Sequence, residues 1–166
     1  MPPEVYRRSQ IDPKSLSLFR KLGRGLYYPL RVGRFGEVPP SDEAVMRAFL
    51  RGGPFIFTGP HRWNALNLGT TALFAVALVY NTRRSGLFEF GNRKFMLRRV
   101  RFPENPTAEW FLVDLFNNAE SVGADPEELA LALPGRLHIF DPQVLRDTIN
   151  KFGNARTRRL LRNQGI

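Results

Sequence analysis

The pattern of apolar residues in the first part of the chain predicts one tight β-hairpin. Two short apolar or aromatic runs in residues 18–28 flank Gly23-Arg24-Gly25, and glycine adopts the positive φ that such a turn needs. This hairpin would present Arg24 at its tip. Residues 1–18 have no sustained period and contain three prolines, so they predict an arm with one helical turn after Asp12-Pro13. Two glycines and two prolines in residues 31–40 predict a linker.

A helix followed by several strands is predicted between residues 41 and 102. Ser41 begins the helix as its N-cap, and Gly52-Gly53 ends it. Apolar runs then predict strands at residues 55–57 and 73–80. Between them, Thr58-Gly59-Pro60 predicts a cap followed by proline at the first position of a short helix that runs through Trp63 to Leu66. A basic hairpin follows, with its turn at Gly91-Asn92.

After Pro103 the apolar period becomes helical. A residue of the capping type precedes each helix predicted there: Thr107, Asp125, Asp141 and Asn154. The patterns together predict an α+β fold, in which a small mixed sheet from residues 54–102 packs with the C-terminal helices.

Charge is distributed in blocks along the 166 residues, of which 25 are Lys or Arg and 15 are Asp or Glu, for a net +10. The formal charge is +6 in residues 1–36, 0 in 37–82, +6 in 83–101, −7 in 102–135 and +5 in 136–166. A surface this basic favours polyanions such as nucleic acid through counterion release. The main alternative is a basic contact surface for a protein partner.

Composition excludes several chemistries. The chain has no cysteine and only two histidines, which excludes disulfides, a thiol nucleophile and a zinc–thiolate site and argues against a histidine-rich metal centre. The longest apolar run, Ala72 to Tyr80, has nine residues, far fewer than a membrane-spanning helix requires. The first residues, Met1-Pro2-Pro3-Glu4, do not resemble a signal peptide. We therefore expect a cytoplasmic protein that has no membrane contact, cofactor or metal.

Enzyme signatures are missing from the sequence, which has no Walker A loop, no GxGxxG after a strand, no HExxH and no GxSxG. Glu109 and Asp114 are five positions apart, which turns them about 140° from each other around a helix, so they are not expected to pair as acid and base. His61 has no identifiable partner and is expected to be structural. Asp114 lies among apolar residues and is expected to pair with an arginine of the basic hairpin. An enzyme that uses His61 or Asp114 is the minority alternative.

Several short motifs occur in an order typical of one family. They are Arg20–Tyr28, Thr58-Gly59-Pro60 with Trp63–Leu66, Leu68–Thr71, Val79–Thr82, Phe102-Pro103 leading to Trp110–Leu115, and Phe152–Arg159. Over about residues 18–163 the chain resembles the AbiEi-like antitoxins. The resemblance implies an antitoxin and autorepressor of AbiE-type (type IV) toxin–antitoxin systems. In that family a winged helix-turn-helix precedes the antitoxin domain, and the toxin is a nucleotidyltransferase-like protein.

One departure from the family concerns the N-terminal region. Residues 22–28, Leu-Gly-Arg-Gly-Leu-Tyr-Tyr, resemble the β-wing of the winged helix, but the 17 residues before Leu18 are too few for a helix-turn-helix. The resemblance thus divides the chain into residues 1–40, an arm and remnant wing, and residues 41–166, an antitoxin-like α+β domain. Three explanations stay open: sequence-specific DNA binding has been lost, the wing remnant and the basic antitoxin domain bind DNA, or the chain begins inside a longer natural protein.

The resemblance and the charge blocks together predict a non-enzymatic, antitoxin-type, DNA-binding transcriptional regulator. The residues expected to contact nucleic acid are Arg20, Lys21, Arg24, Arg31, Arg34, Arg83, Arg84, Arg156, Arg158, Arg159 and Arg162. The alternative is a protein-interaction module that binds a nucleotidyltransferase-like toxin or another acidic partner without sequence-specific DNA binding.

Overall fold

The chain has an α+β fold, in a computed structural model that describes residues 4–68, 70 and 76–166. The strands of the described part are β1 (Tyr6–Arg7), β2 (Phe19–Gly23), β3 (Leu26–Pro29), β4 (Val32–Gly33), β5 (Gly36–Glu37), β6 (Phe55–Thr58), β7 (Val76–Asn81), β8 (Gly86–Phe90) and β9 (Arg93–Arg99). Its α-helices are α1 (Asp42–Phe49), α2 (Pro60–Asn64), α3 (Ala108–Asn118), α4 (Pro126–Ala132), α5 (Pro142–Phe152) and α6 (Ala155–Asn163). Short 3-10 helices cover Arg8–Gln10, Pro13–Leu18, Ala119–Val122 and Leu133–Ile139.

Packing divides the chain into two compact units. Unit 1 comprises Met1–Phe57 and Leu78–Arg101, and unit 2 comprises Thr58–Ala77 and Phe102–Ile166. Each unit is therefore assembled from two separate stretches of sequence. The boundary predicted at residue 40 separates a remnant wing from an antitoxin-like domain, and it comes from the family resemblance. These packing units do not test it, so it stays a prediction.

The predicted hairpin in unit 1 is confirmed as β2 and β3. Gly23 pairs with Leu26, so the loop consists of Arg24 and Gly25, which have φ angles of 49° and 74°. Positive φ at both loop residues is the mirror-image turn geometry that suits the twist of a hairpin. The arm also joins this sheet, because β1 pairs antiparallel with β3.

The prediction that residues 31–40 form a linker is wrong, because these residues include a second, smaller hairpin. β4 and β5 pair antiparallel, with Gly33 opposite Gly36 and Val32 opposite Glu37. The two glycines close a tight loop that consists of Arg34 and Phe35, and Gly36 has a φ of 110°. Glycines at this spacing are compatible with a tight turn as well as with a flexible linker, so composition alone does not distinguish the two.

Helix α1 begins where the sequence predicts it. The Ser41 hydroxyl accepts a hydrogen bond from the Ala44 amide, as an N-cap does. Val45, Met46 and Phe49 of α1 are buried. The Phe49 ring lies 4.9 Å from those of Phe88 and Phe90 on β8, in a four-stranded sheet of order β6-β7-β9-β8.

The helices of unit 2 begin at the predicted caps. The side chains of Thr107, Asp125, Asp141 and Asn154 each accept a backbone hydrogen bond at the start of α3, α4, α5 and α6 respectively. The start predicted for α2 is confirmed, with Gly59 as the N-cap and Pro60 as the first helical residue, although no side chain caps this helix. Apolar residues of α3, among them Leu112 and Leu115, are buried in the core.

The apolar run before residue 81 is predicted to form a strand and to be too short to span a membrane. β7 begins at Val76, while residues 73–75 of the predicted strand lie outside the described residues. Among the helices that the structure describes, none has both the length and the apolar composition needed to cross a bilayer.

Candidate nucleic-acid interface

Positive charge is concentrated in one packing unit. Unit 1 contains 17 Lys or Arg and 6 Asp or Glu, a formal charge of +11. Unit 2 contains 8 Lys or Arg and 9 Asp or Glu, a formal charge of −1. Unit 1 therefore carries the whole positive excess of the chain, and its surface is the candidate interface for a polyanion.

Arg7 holds the C-terminal end of α1 from outside the helix. Its guanidinium donates hydrogen bonds to the carbonyl oxygens of Ala48, at 2.8 Å, and Phe49, at 3.3 Å. These carbonyls belong to the last turn, which lacks the regular amide partners four residues further along the helix. The Ala48 oxygen also accepts a hydrogen bond from the Arg51 amide at 3.3 Å. Burial, followed by the nearby positive charges of Arg51 and Arg84, lowers the pKa of Arg7 from its ordinary value. The role of Arg7 is not predictable from the sequence, because nothing in a short proline-containing segment indicates which distant helix it will contact.

Arg83 and Arg84 lie in a turn that a fully buried side chain holds in place. The Asn81 side-chain oxygen accepts hydrogen bonds from the amides of Arg83, at 2.8 Å, and Arg84, at 2.7 Å. The side-chain nitrogen of Asn81 donates to the Arg84 carbonyl at 2.9 Å. Both arginine side chains are exposed, and the Arg84 guanidinium lies over the Phe49 ring, 4.6 Å from its centroid. The structure thus places two predicted contact residues beside the end of α1.

The predicted residues of the first hairpin lie elsewhere in unit 1. Arg20 and Lys21 are exposed on β2, and Arg20 makes a long ion pair of 3.7 Å with Glu37. Arg24 is at the tip, as predicted, and its guanidinium lies 4.8 Å from the centroid of the Phe88 ring. The tip therefore packs on β8 while Arg24 keeps its exposure.

The second hairpin exposes an aromatic residue beside predicted basic ones. Phe35, in the loop between β4 and β5, is 96% exposed. The Arg34 guanidinium lies 5.7 Å from the Phe35 ring centroid, and Arg31 is exposed just before β4. Exposed aromatic rings beside cations are typical of proteins that stack on unpaired bases. Phe35 is absent from the residues predicted to bind nucleic acid, because its glycine-rich and proline-rich surroundings predict a linker.

A groove of about 1250 Å³ runs along α1 within unit 1. Its basic lining consists of Arg7, Arg8, Arg31, Arg47 and Arg51. Two acids also line it, and both are engaged: Glu43 pairs with Arg47, and Glu4 accepts hydrogen bonds from the amide and hydroxyl of Ser41. The bond from the Ser41 amide is the main cause of the lowered pKa of Glu4. The lining is net positive after these acids are counted.

The four predicted arginines of α6 belong to the nearly neutral unit 2. Arg156 pairs with Glu120, and this hydrogen-bonded acid is the main cause of its raised pKa. Arg158 donates to the Gly153 carbonyl at 2.8 Å. Arg159 and Arg162 are exposed. Acidic neighbours therefore offset part of the charge that the sequence concentrates in this helix.

The residues considered for catalysis occupy separate environments in unit 2. Asp114 is buried and accepts hydrogen bonds from the Thr58 hydroxyl, at 2.6 Å, and the Trp63 indole, at 3.1 Å. Glu109 accepts one from the Asp141 amide at 2.8 Å, at the start of α5. Burial, and then Arg62, lowers the pKa of His61. The described hydrogen bonds give both carboxylates structural roles, and an arginine partner for Asp114 stays a prediction.

Metal-ligating side chains do not cluster within the described residues: no group of three or more His, Asp or Glu could hold an ion there. Comparison of the chain with models of protein families, with curated proteins and with solved structures finds no match.

Proposed function

We propose that the protein binds nucleic acid through unit 1. The observation that carries the proposal is the division of charge, +11 on unit 1 against −1 on unit 2. A polyanion responds to the charge of the whole surface near it, because attraction extends over a Debye length of about 8–10 Å at physiological salt. The exposed arginines of the turn after β7 and of both hairpins supply phosphate contacts.

An antitoxin-type, non-enzymatic DNA-binding regulator is the specific form of this function that we favour. Its support is the ordered set of motifs that resembles the AbiEi-like antitoxins. The segment Leu22–Tyr28 of that set lies in an antiparallel hairpin, which is compatible with a β-wing. Arg20, Lys21 and Arg24 would then contact phosphates beside the wing.

The test is a salt titration of binding to labelled DNA, measured by fluorescence anisotropy. Two double variants each replace two positive charges with two negative ones: Arg20→Glu/Lys21→Glu in unit 1 and Arg159→Glu/Arg162→Glu in unit 2. We expect the unit 1 variant to reduce the slope of log K against log salt by about 2, since each phosphate contact contributes about 0.9 on B-DNA. The unit 2 variant should stay close to the wild type.

Two results would overturn the proposal. One is a wild-type protein that shows no salt-dependent binding to duplex or single-stranded DNA. The other is an equal loss of slope in both variants, which would show that the division of charge between the units does not direct binding. Tighter binding to the upstream region of its own gene than to random duplex would support the regulator.

A protein-binding function is the second candidate, and exposed apolar side chains favour it. Val32 is 77% and Phe35 is 96% exposed in the β4–β5 hairpin, and apolar side chains contribute more to a protein contact than to a phosphate backbone. The partner would be a nucleotidyltransferase-like toxin or another acidic protein. Co-expression with the product of the adjacent gene tests this candidate: co-elution is expected, and separate elution would contradict it.

A further inference from the structure

Four arginines from three parts of the sequence meet at the C-terminal end of α1. Arg7 donates to the carbonyls of the last turn, and Arg51 follows directly after the helix and its C-cap. Arg84 lies over the ring of Phe49, the last residue of α1. Arg83 passes beside Gly53, where a Cβ would lie 3.0 Å from its Nε atom. The described ion pairs include none of these four arginines.

Local structure accounts for only part of this charge. The helix dipole places about half a negative charge at the C-terminus, and Arg7 already covers two of the carbonyls that carry it. A cation over an aromatic ring explains the position of Arg84. Arg51 and Arg83 have neither role and are exposed. The cluster therefore holds more positive charge than the helix end needs.

The backbone at the end of α1 positions Arg51 and leaves space for Arg83. Arg51 has a φ of 53°, in the left-handed region that a residue with a Cβ adopts at a cost and that glycine usually occupies at the end of a helix. The Gly52 amide donates to the Arg47 carbonyl at 2.9 Å and so closes this turn. Gly53 leaves room for the side chain of Arg83. Arg51 therefore occupies a helix-end position at which glycine is the usual residue.

We propose that this cluster is a phosphate-binding site, in which Arg51, Arg83 and Arg84 donate hydrogen bonds to phosphate oxygens. Arg7 is a positioning residue, because its guanidinium binds the carbonyls at the end of α1. If the phosphate belongs to a nucleic-acid backbone, this inference rests on the proposed function. A free phosphoanion, such as a nucleotide, offers the same chemistry to the same site.

Phosphate suits this arrangement better than a carboxylate does. A phosphate group presents several acceptor oxygens in a tetrahedral arrangement, so guanidinium groups can reach it from different directions. Here they come from the end of a helix and from the turn between two strands. The groove along α1 borders this cluster, since Arg7, Arg51 and Gly52 line it, and it gives an extended ligand a path over the positive surface.

The experiment compares two double variants of the full chain that each remove two positive charges. Arg51→Gln/Arg83→Gln removes two of the donors. Lys14→Gln/Arg101→Gln is the matched control, because both residues are exposed in unit 1 and have no described contact with the cluster. Affinity for a single-stranded and a duplex oligonucleotide is measured by fluorescence anisotropy at fixed salt. We expect a loss of about tenfold or more for the cluster variant, the size of one to two charge-assisted hydrogen bonds, and less than about threefold for the control.

A second arm uses inorganic pyrophosphate and identifies the source of the phosphate. The Nε–Hε resonances of arginine in the wild-type protein are followed by NMR as the anion is added. Shifts confined to the cluster arginines, without binding to either oligonucleotide, would sustain the site for a free phosphoanion and overturn the proposed function.

A different result would overturn the site and leave the proposed function in place. In that result the cluster and control variants weaken oligonucleotide binding equally, and pyrophosphate does not shift the cluster arginines more than the others. Circular dichroism of both variants shows that each is folded, so that a loss of structure is not mistaken for a loss of contacts.

Discussion

Replacing Asn81 with alanine should loosen the turn that carries Arg83 and Arg84. The Asn81 side chain is 0% exposed and makes three hydrogen bonds of 2.9 Å or less to the backbone of this turn. Alanine removes all three and leaves two amides and a carbonyl to find water. Because the residues of the turn are themselves exposed, water can reach these groups after a local rearrangement.

The expected loss of stability follows from these contacts. A hydrogen bond within a protein contributes about 0.5–1.5 kcal/mol net, so the three together predict a decrease of about 2–4 kcal/mol in the free energy of unfolding. For a slope of about 2 kcal/mol/M in urea, the midpoint of unfolding should fall by about 1–2 M. A domain that is stable by about 5–15 kcal/mol stays folded after such a loss.

Urea unfolding is followed by circular dichroism for Asn81→Ala and for a matched control, Asn92→Ala. Asn92 is exposed in the turn between β8 and β9, so its replacement should change the free energy of unfolding by less than about 0.5 kcal/mol. If Asn81→Ala unfolds at the same urea concentration as the control, Asn81 does not hold the turn. Nucleic-acid affinity should also fall in Asn81→Ala, although the variant retains every arginine.

Three further predictions concern other parts of the chain. Asp114→Ala removes the acceptor of both the Thr58 hydroxyl and the Trp63 indole and should lower the free energy of unfolding, measured in urea, by about 3 kcal/mol. Thr58→Val removes one of these bonds and should lower it by about 1 kcal/mol; equal losses would contradict the role of Asp114 as an acceptor for both groups. Phe35→Ala should leave the unfolding midpoint unchanged and weaken binding to single-stranded DNA by about 5- to 100-fold, the effect of losing one stacked base; unchanged affinity in anisotropy would exclude stacking. Tyr28 donates a hydrogen bond of 2.6 Å to Glu37, and this bond raises the pKa of the phenol above its ordinary 10.0. The stability that this contact contributes is therefore complete below pH 10.0 and is lost as pH rises through the folded-state pKa. Glu37→Gln should return the phenol towards its ordinary pKa in an ultraviolet titration, and an unchanged titration would contradict this cause.

Elements with local signals were predictable from the sequence. Ser41 and Asp141 begin helices as predicted, because a capping side chain bonds to amides two or three residues further along the chain. The Gly23-Arg24-Gly25 turn was predictable for the same reason, since its backbone conformation depends on the residues of the turn. The β4–β5 hairpin was missed, because two-residue strands leave no periodic pattern that distinguishes them from a linker.

Contacts between distant residues set the candidate site, and the sequence does not reveal them. Arg7 bonds to carbonyls that lie 41 and 42 positions further along the chain. The sequence identified Arg83 and Arg84 as basic turn residues, yet nothing in their spacing places them beside the end of α1. Arg51 had a local signal, because it lies between a predicted helix and Gly52-Gly53, but an exposed arginine after a helix is ordinary without its neighbours.

Folding also changes what the charge blocks mean. Along the sequence, the +5 of residues 136–166 looks equivalent to the +6 of residues 83–101. In the structure, the C-terminal block belongs to the same unit as the −7 of residues 102–135, and Glu120 of the acidic block pairs with Arg156. The block at 83–101 instead joins the equally basic N-terminal block in unit 1. Since a polyanion responds to charge summed over a Debye length rather than along the chain, these two blocks should dominate the salt dependence of binding, with a smaller contribution from α6.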